Sequence, residues 1–101
     1  MIDRVTFDDY LNRWRAYDRY DYFTYEGHMA LFEYLEQYEE DTGEQIELDI
    51  IAIDSDFVEY ENLEAFHKDY DKEDYPDLEI LRDHTQVIEI PNTDGFIIQN
   101  F

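Results

Sequence analysis

Gln86-Val87-Ile88-Glu89-Ile90-Pro91-Asn92-Thr93-Asp94-Gly95-Phe96-Ile97-Ile98-Gln99-Asn100-Phe101 reads as a β-hairpin. Two short runs rich in β-branched and aromatic residues, Gln86 to Ile90 and Phe96 to Phe101, flank a five-residue loop that ends in Gly95. A third strand is predicted upstream. Ile46-Glu47-Leu48-Asp49-Ile50-Ile51-Ala52-Ile53 begins as strict alternation and ends as a continuous apolar run. That pattern predicts a central strand whose second half is buried on both faces. Asp54-Ser55-Asp56 ends it, and Phe57 to Tyr60 continues as a short extended piece. The strand from Ile46 is expected to pair with the hairpin. Intervening helices leave parallel pairing open as well.

Helical signals fill most of the remaining chain. Thr6 and Asp9 resemble a capping box, with Asp in place of the usual Glu or Gln. A helix from about Phe7 to Tyr17 follows, with Phe7, Tyr10, Leu11 and Trp14 as its apolar stripe. Thr24 is a suitable cap for a second helix, about Tyr25 to Asp41, which Gly43 stops. Leu31, Phe32, Leu35 and Tyr38 give that helix its apolar face, with His28 at the edge. Shorter helices are expected from Asn62 to Asp69, with Leu63 and Phe66 inward, and from Pro76 to Arg82. The expectation is an α+β fold. One acidic domain spans residues 1–101, with three to four helices on one face of a mainly antiparallel sheet of about three strands.

Charge is the outlier. The 101 residues hold 28 acids against 7 Lys and Arg, a formal −21, yet 18% are aromatic. Disordered acidic tails have few aromatics, so this chain is expected to fold. Residues 1–19 are neutral, with Arg4, Arg13, Arg15 and Arg19 against Asp3, Asp8, Asp9 and Asp18. The whole excess therefore falls on residues 20–101. Such a field destabilises the fold through self-repulsion, so salt or mild acid should stabilise it. It would be repelled by nucleic acid and by anionic membranes and drawn to basic proteins. The absence of cysteine excludes disulfides and thiolate metal sites. No apolar run approaches the length of a membrane span. Met1-Ile2-Asp3-Arg4-Val5 lacks the apolar core of a signal peptide, so the cytoplasm is the expected compartment.

Three groups of acids are candidates for partner binding. Glu33, Glu36 and Glu40 form a row at helical spacing, where neighbours lie about 5–6 Å apart. Asp54, Asp56, Glu59, Glu61 and Glu64 gather where a strand gives way to a helix, with Tyr60 among them. Tyr70, Asp71, Glu73, Asp74 and Tyr75 combine acids with the residue type enriched at interfaces. Duplex DNA carries one charge per ~1.7 Å of axis, so a net 21 charges match about ten base pairs. Each group can also be read as a plain solvated face. Asp54-Ser55-Asp56 and the run from Asp69 to Glu73 lack the Gly and Glu positions of an EF-hand loop. His28, His67 and His84 share no metal-ligand spacing, and no nucleophile elbow or phosphate loop is present. No catalytic residue, metal or cofactor is expected.

A short, Cys-free, Tyr-rich chain of this acidity resembles the DNA-mimic inhibitors of phages and mobile elements, which include anti-CRISPR and anti-restriction proteins. The stretch from Glu39 to Ile53 and the ending from Thr85 to Phe101 also resemble a recurring pattern in small acidic phage-encoded proteins. The resemblance implies an inhibitor that occupies the basic DNA-binding surface of a host defence complex, inside the host cytoplasm. A CRISPR effector is the first choice of target and a restriction enzyme the second. DNA mimics share charge and not a motif, so no functional residue carries over. The alternative is a non-inhibitory acidic module that binds a basic phage or host protein.

Overall fold

Side-chain caps decide where this chain turns helical. In a computed structural model, which describes residues 5–101, Thr6 Oγ1 accepts the Asp9 N–H and the Asp9 carboxylate accepts the Thr6 N–H, each at 3.1 Å. This reciprocal box starts α1, Phe7–Ala16, as the sequence predicts. Thr24 Oγ1 accepts the Gly27 N–H at 3.0 Å and starts α2, Tyr25–Thr42. Gly43 ends α2 in the left-handed conformation, at φ 70°. A 3₁₀ turn, Tyr20–Tyr22, occupies the connection between the two helices. Met1 to Arg4 lie outside the described residues, and with them Asp3 and Arg4 of the neutral segment and most of the stretch read for a signal peptide.

The predicted strand Ile46–Ile53 is not a strand. Its first half runs without regular structure, with Leu48 buried and Ile46 half-buried. Its second half is helical: α3 spans Ile50–Asp56. The cause is Asp49, whose carboxylate accepts the Ala52 N–H at 3.1 Å and supplies an N-cap. Ile50 and Ile53, three apart, are buried while Ile51 is 51% exposed. The apolar run therefore follows a helical period and not two-sided burial. Asp54, Ser55 and Asp56 continue this helix where a strand end was expected.

The short extended piece becomes the real strand. β1, Phe57–Tyr60, is followed by α4 (Leu63–Phe66), α5 (Leu78–Arg82), β2 (Val87–Glu89) and β3 (Phe96–Gln99). The sheet is antiparallel throughout, in the order β1-β3-β2, so the C-terminal strand and not the Ile46 segment is central. Asn62 caps α4 through Ala65 N–H, and Asp77 caps α5 through Ile80 N–H. Pro76 thus lies just before a cap and does not open the last helix. Five α-helices stand among the described residues where three to four were expected, the addition being α3.

Helices cover both sides of the sheet, which corrects the one-sided expectation. Phe96, Ile97 and Ile98 of β3 are all fully buried. Side chains alternate across a strand, so three consecutive buried residues need cover on both faces. Ile97 packs with Tyr10, Trp14, Leu31 and Ile53 on the α1, α2 and α3 side. Phe96 and Ile98 pack with Phe66 and Leu81 of α4 and α5. Two placements within the helices also differ from expectation. His28 is fully buried and not at an edge, whereas Tyr38 is 45% exposed and not part of the core face.

Candidate protein-binding surface

The acids point outward almost without exception. From Asp8 to Asp94, every Asp and Glu is exposed except Glu39, Asp54 and Glu59. Those three have specific contacts. Glu39 accepts the Ile46 N–H at 2.6 Å, and Asp54 meets the Arg19 guanidinium at 3.4 Å. Glu59 reaches across to α2, where Oε1 accepts the Thr24 N–H at 3.0 Å and the Thr24 hydroxyl at 3.2 Å. A carboxylate is favoured there by the orphan N–H groups of the helix start.

Glycine makes that last contact possible. A methyl carbon on Gly27 would fall 1.8 Å from Glu59 Oε1, so any side chain at Gly27 displaces the carboxylate. This gives a test of the Glu59 role. Gly27→Ala alone should lie within about 1 kcal/mol of wild type, because the helix-propensity gain offsets the lost bonds. In a Glu59→Ala background the same change should stabilise by about 1 kcal/mol. Urea denaturation of the four proteins would measure the coupling, and additive effects would contradict it.

Sequence grouping and spatial grouping agree in part. Glu33, Glu36 and Glu40 are exposed on one row of α2, as expected. The strand-end group divides. Asp54 and Glu59 are held by Arg19 and Thr24, and Asp56 is exposed at the end of α3. Tyr60 is half-buried, its ring edge-on to Phe66 at 5.2 Å and its hydroxyl donating to Asp69 at 3.1 Å. Burial, and after it the Asp69 carboxylate, push the Tyr60 phenol well above its ordinary value. Glu61 and Glu64 remain exposed and border two adjoining hollows beside the β2–β3 loop.

Those hollows bring in acids that the sequence grouping missed. One, of about 440 Å³, is lined by Glu64, Glu89 and Asp94 together with Leu63 and Leu78. The other, of about 160 Å³, is lined by Glu26, Glu59 and Glu61, and the two share Thr93 and Gly95. The pairing of Tyr60 with Phe96 causes this, since it sets residues after Tyr60 beside residues before Phe96. Thr93 fixes the loop by accepting the Gly95 N–H at 3.0 Å and donating to the Ile90 carbonyl at 2.9 Å. Glu89 and Asp94 follow from the strand order β1-β3-β2, whereas Glu26 is brought in by the contact of Glu59 with the start of α2.

The third group is a built turn with an acidic rim. Asp71 Oδ1 accepts the Glu73 N–H at 2.9 Å, and the Asp71 carbonyl accepts from Asp74 and Tyr75. Asp71, Glu73 and Asp74 are exposed, while Tyr70 and Tyr75 are half-buried against Phe66. Among the described residues, no group of three or more His, Asp or Glu is placed to hold a metal ion, and no helix is long and apolar enough to cross a membrane.

The arrangement defines a class: an α+β fold with a three-stranded antiparallel sheet and an acidic surface. No family model matches the chain, and no curated protein or solved structure matches it either.

Proposed function

We propose that this protein is a phage or mobile-element inhibitor that occupies the basic DNA-binding surface of a host defence complex, as a mimic of DNA. A CRISPR effector is the first target and a restriction enzyme the second. On this reading it binds protein, not nucleic acid or membrane, performs no catalysis and acts in the host cytoplasm. The observation that supports it is the scale of the exposed charge. The longest dimension is 43 Å, over which a duplex would carry about 25 phosphates. The chain carries a net −21 over that length, nearly all of its acids exposed. Many of these carboxylates stand on capped helices or on hydrogen-bonded turns, which lowers the backbone ordering entropy that opposes binding.

Competition tests this directly. The protein, immobilised, is exposed to nuclease-treated lysate of a defence-proficient bacterium, and bound proteins are eluted with short duplex DNA. The expected eluate is a DNA-binding defence complex, identified by mass spectrometry. Its affinity should weaken about tenfold or more from low to moderately high salt, as screening shortens to ~3 Å at 1 M. Bound proteins that ignore both duplex and salt would contradict the proposal. A salt-sensitive basic protein that keeps its activity when bound would favour the non-inhibitory module.

A further inference from the structure

Four aromatic rings meet beside the acidic turn, and two of them belong to none of the groups above. Phe101 lies parallel to Tyr70, with centroids 5.5 Å apart and planes at 10°, and near-parallel to His84 at 6.4 Å and 22°. Tyr75 stands perpendicular to all three: 88° to Tyr70 at 5.9 Å, 82° to Phe101 at 5.5 Å and 87° to His84 at 5.2 Å. Tyr70 stacks inward on the fully buried Phe66 at 4.6 Å and 16°, which anchors the group to the core. Its outer members stay in water, with Phe101 51% exposed and His84 exposed.

Ring faces carry negative potential and attract cations. The surroundings add to that field. Asp69, Asp71, Glu73 and Asp74 precede Tyr75, and Asp83 adjoins His84, all of them exposed. Against them stand Lys68, Lys72 and Arg82, and the Arg82 guanidinium is held by Glu89 at 2.7 Å. The local balance is acidic. A flat, delocalised cation satisfies both features, because guanidinium stacks on rings and bonds a carboxylate through two parallel N–H groups. The ammonium of lysine is a compact point charge without that planar fork. The chain already makes such contacts internally, with the Arg15 guanidinium 4.6 Å above Tyr20 and that of Arg19 5.7 Å above Tyr22.

We propose that the exposed rings of Phe101 and His84, backed by Tyr70 and Tyr75, form a docking platform for an arginine side chain of the basic partner. The proposal rests on the reading of this surface as protein-binding and names the residue type that the partner presents. Octa-arginine and octa-lysine peptides, titrated into the full chain at low salt, serve as probes. Both should bind through the net charge. Octa-arginine should bind about 2- to 5-fold tighter, the range of an exposed cation–ring contact. Aromatic ¹³C–¹H signals of the four rings should shift more with octa-arginine than with octa-lysine. Phe101→Leu and His84→Ala, both at exposed positions and checked by thermal melting, should each reduce the arginine preference toward one while octa-lysine binding holds. Equal affinity for the two peptides in wild type overturns the platform and leaves the electrostatic reading intact. An arginine preference unchanged in both folded variants also overturns it. Failure of either peptide to bind at all overturns the acidic-surface reading and the platform with it.

Discussion

Replacing His28 with leucine is expected to cost the fold about 2–3 kcal/mol, because a buried phenol loses its acceptor and a part-buried carbonyl loses its shorter donor. The imidazole is fully buried among Tyr10, Trp14, Tyr20 and Phe23, with ring centroids 4.9 to 5.5 Å away. Nε2 lies 2.7 Å from the Tyr20 carbonyl, which can only accept, so Nε2 carries the proton. Nδ1, 3.1 Å from the Tyr10 hydroxyl, must then accept from it. Leucine fills a similar volume but leaves the Tyr10 phenol without its acceptor and the Tyr20 carbonyl with only the longer Phe23 N–H at 3.5 Å. The orphaned phenol costs about 1–3 kcal/mol, and the lost bond to the carbonyl about 0.5–1.5 kcal/mol at most. The substitution also has a pH signature. Burial holds the folded imidazole below its ordinary value of 6.5. Between the two values the unfolded chain binds the extra proton, so the His28 contribution falls as pH drops through that window. The stability gap between wild type and variant should therefore narrow from about pH 7.5 to about pH 5.5. Urea denaturation at the two pH values measures it, and a constant gap would show that His28 does not titrate on unfolding.

Reversing the charge of Glu26, Glu61, Glu64 and Asp94 together should weaken partner binding by about 30- to 1000-fold. The range follows from four exposed charges, each contributing about 0.5–1 kcal/mol. All four are exposed and converge on the hollows beside the β2–β3 loop from three parts of the chain. Reversal at Glu33, Glu36 and Glu40 should weaken binding less, since one row on one helix presents a flatter charge. Asp54 and Glu59 are left unchanged because Arg19 and Thr24 hold them, and their loss would confuse stability with binding. Single Glu→Gln changes should cost a few-fold at most. Calorimetry against the captured partner measures all of these. One conservative substitution that abolishes inhibition in a folded protein would point to a discrete site and away from an electrostatic surface.

Where local chemistry decides the structure, the sequence is legible. Thr6 with Asp9, Thr24 and Gly43 mark helix ends through their own side chains or backbone freedom, and each does so in the fold. The hairpin around Gly95 is legible for the same reason. The segment from Ile46 to Ile53 is not, because a short apolar run fits a strand or a turn or two of helix equally well. Asp49 tips that balance through one hydrogen bond to Ala52. The mistaken strand then hid the central position of β3, although Phe96-Ile97-Ile98 already has the unbroken apolar pattern of two-sided burial. Exposure of Glu33, Glu36 and Glu40 followed from helical spacing, but Glu89 and Asp94 join Glu61 and Glu64 only through the β1–β3 pairing, and Glu26 only through the contact of Glu59 with the start of α2. Glu59 looked like one more surface acid, since nothing in a sequence shows a carboxylate reaching a helix start 35 positions away.

A surface that takes the place of DNA competes with DNA. Once the defence complex has been captured, its DNA cleavage is measured at fixed concentrations of this protein across a range of duplex concentrations. Inhibition should be strong at low duplex and relieved as duplex rises, and raised salt should weaken it further. Inhibition that stays the same at every duplex concentration, or cleavage that is never inhibited, would contradict it.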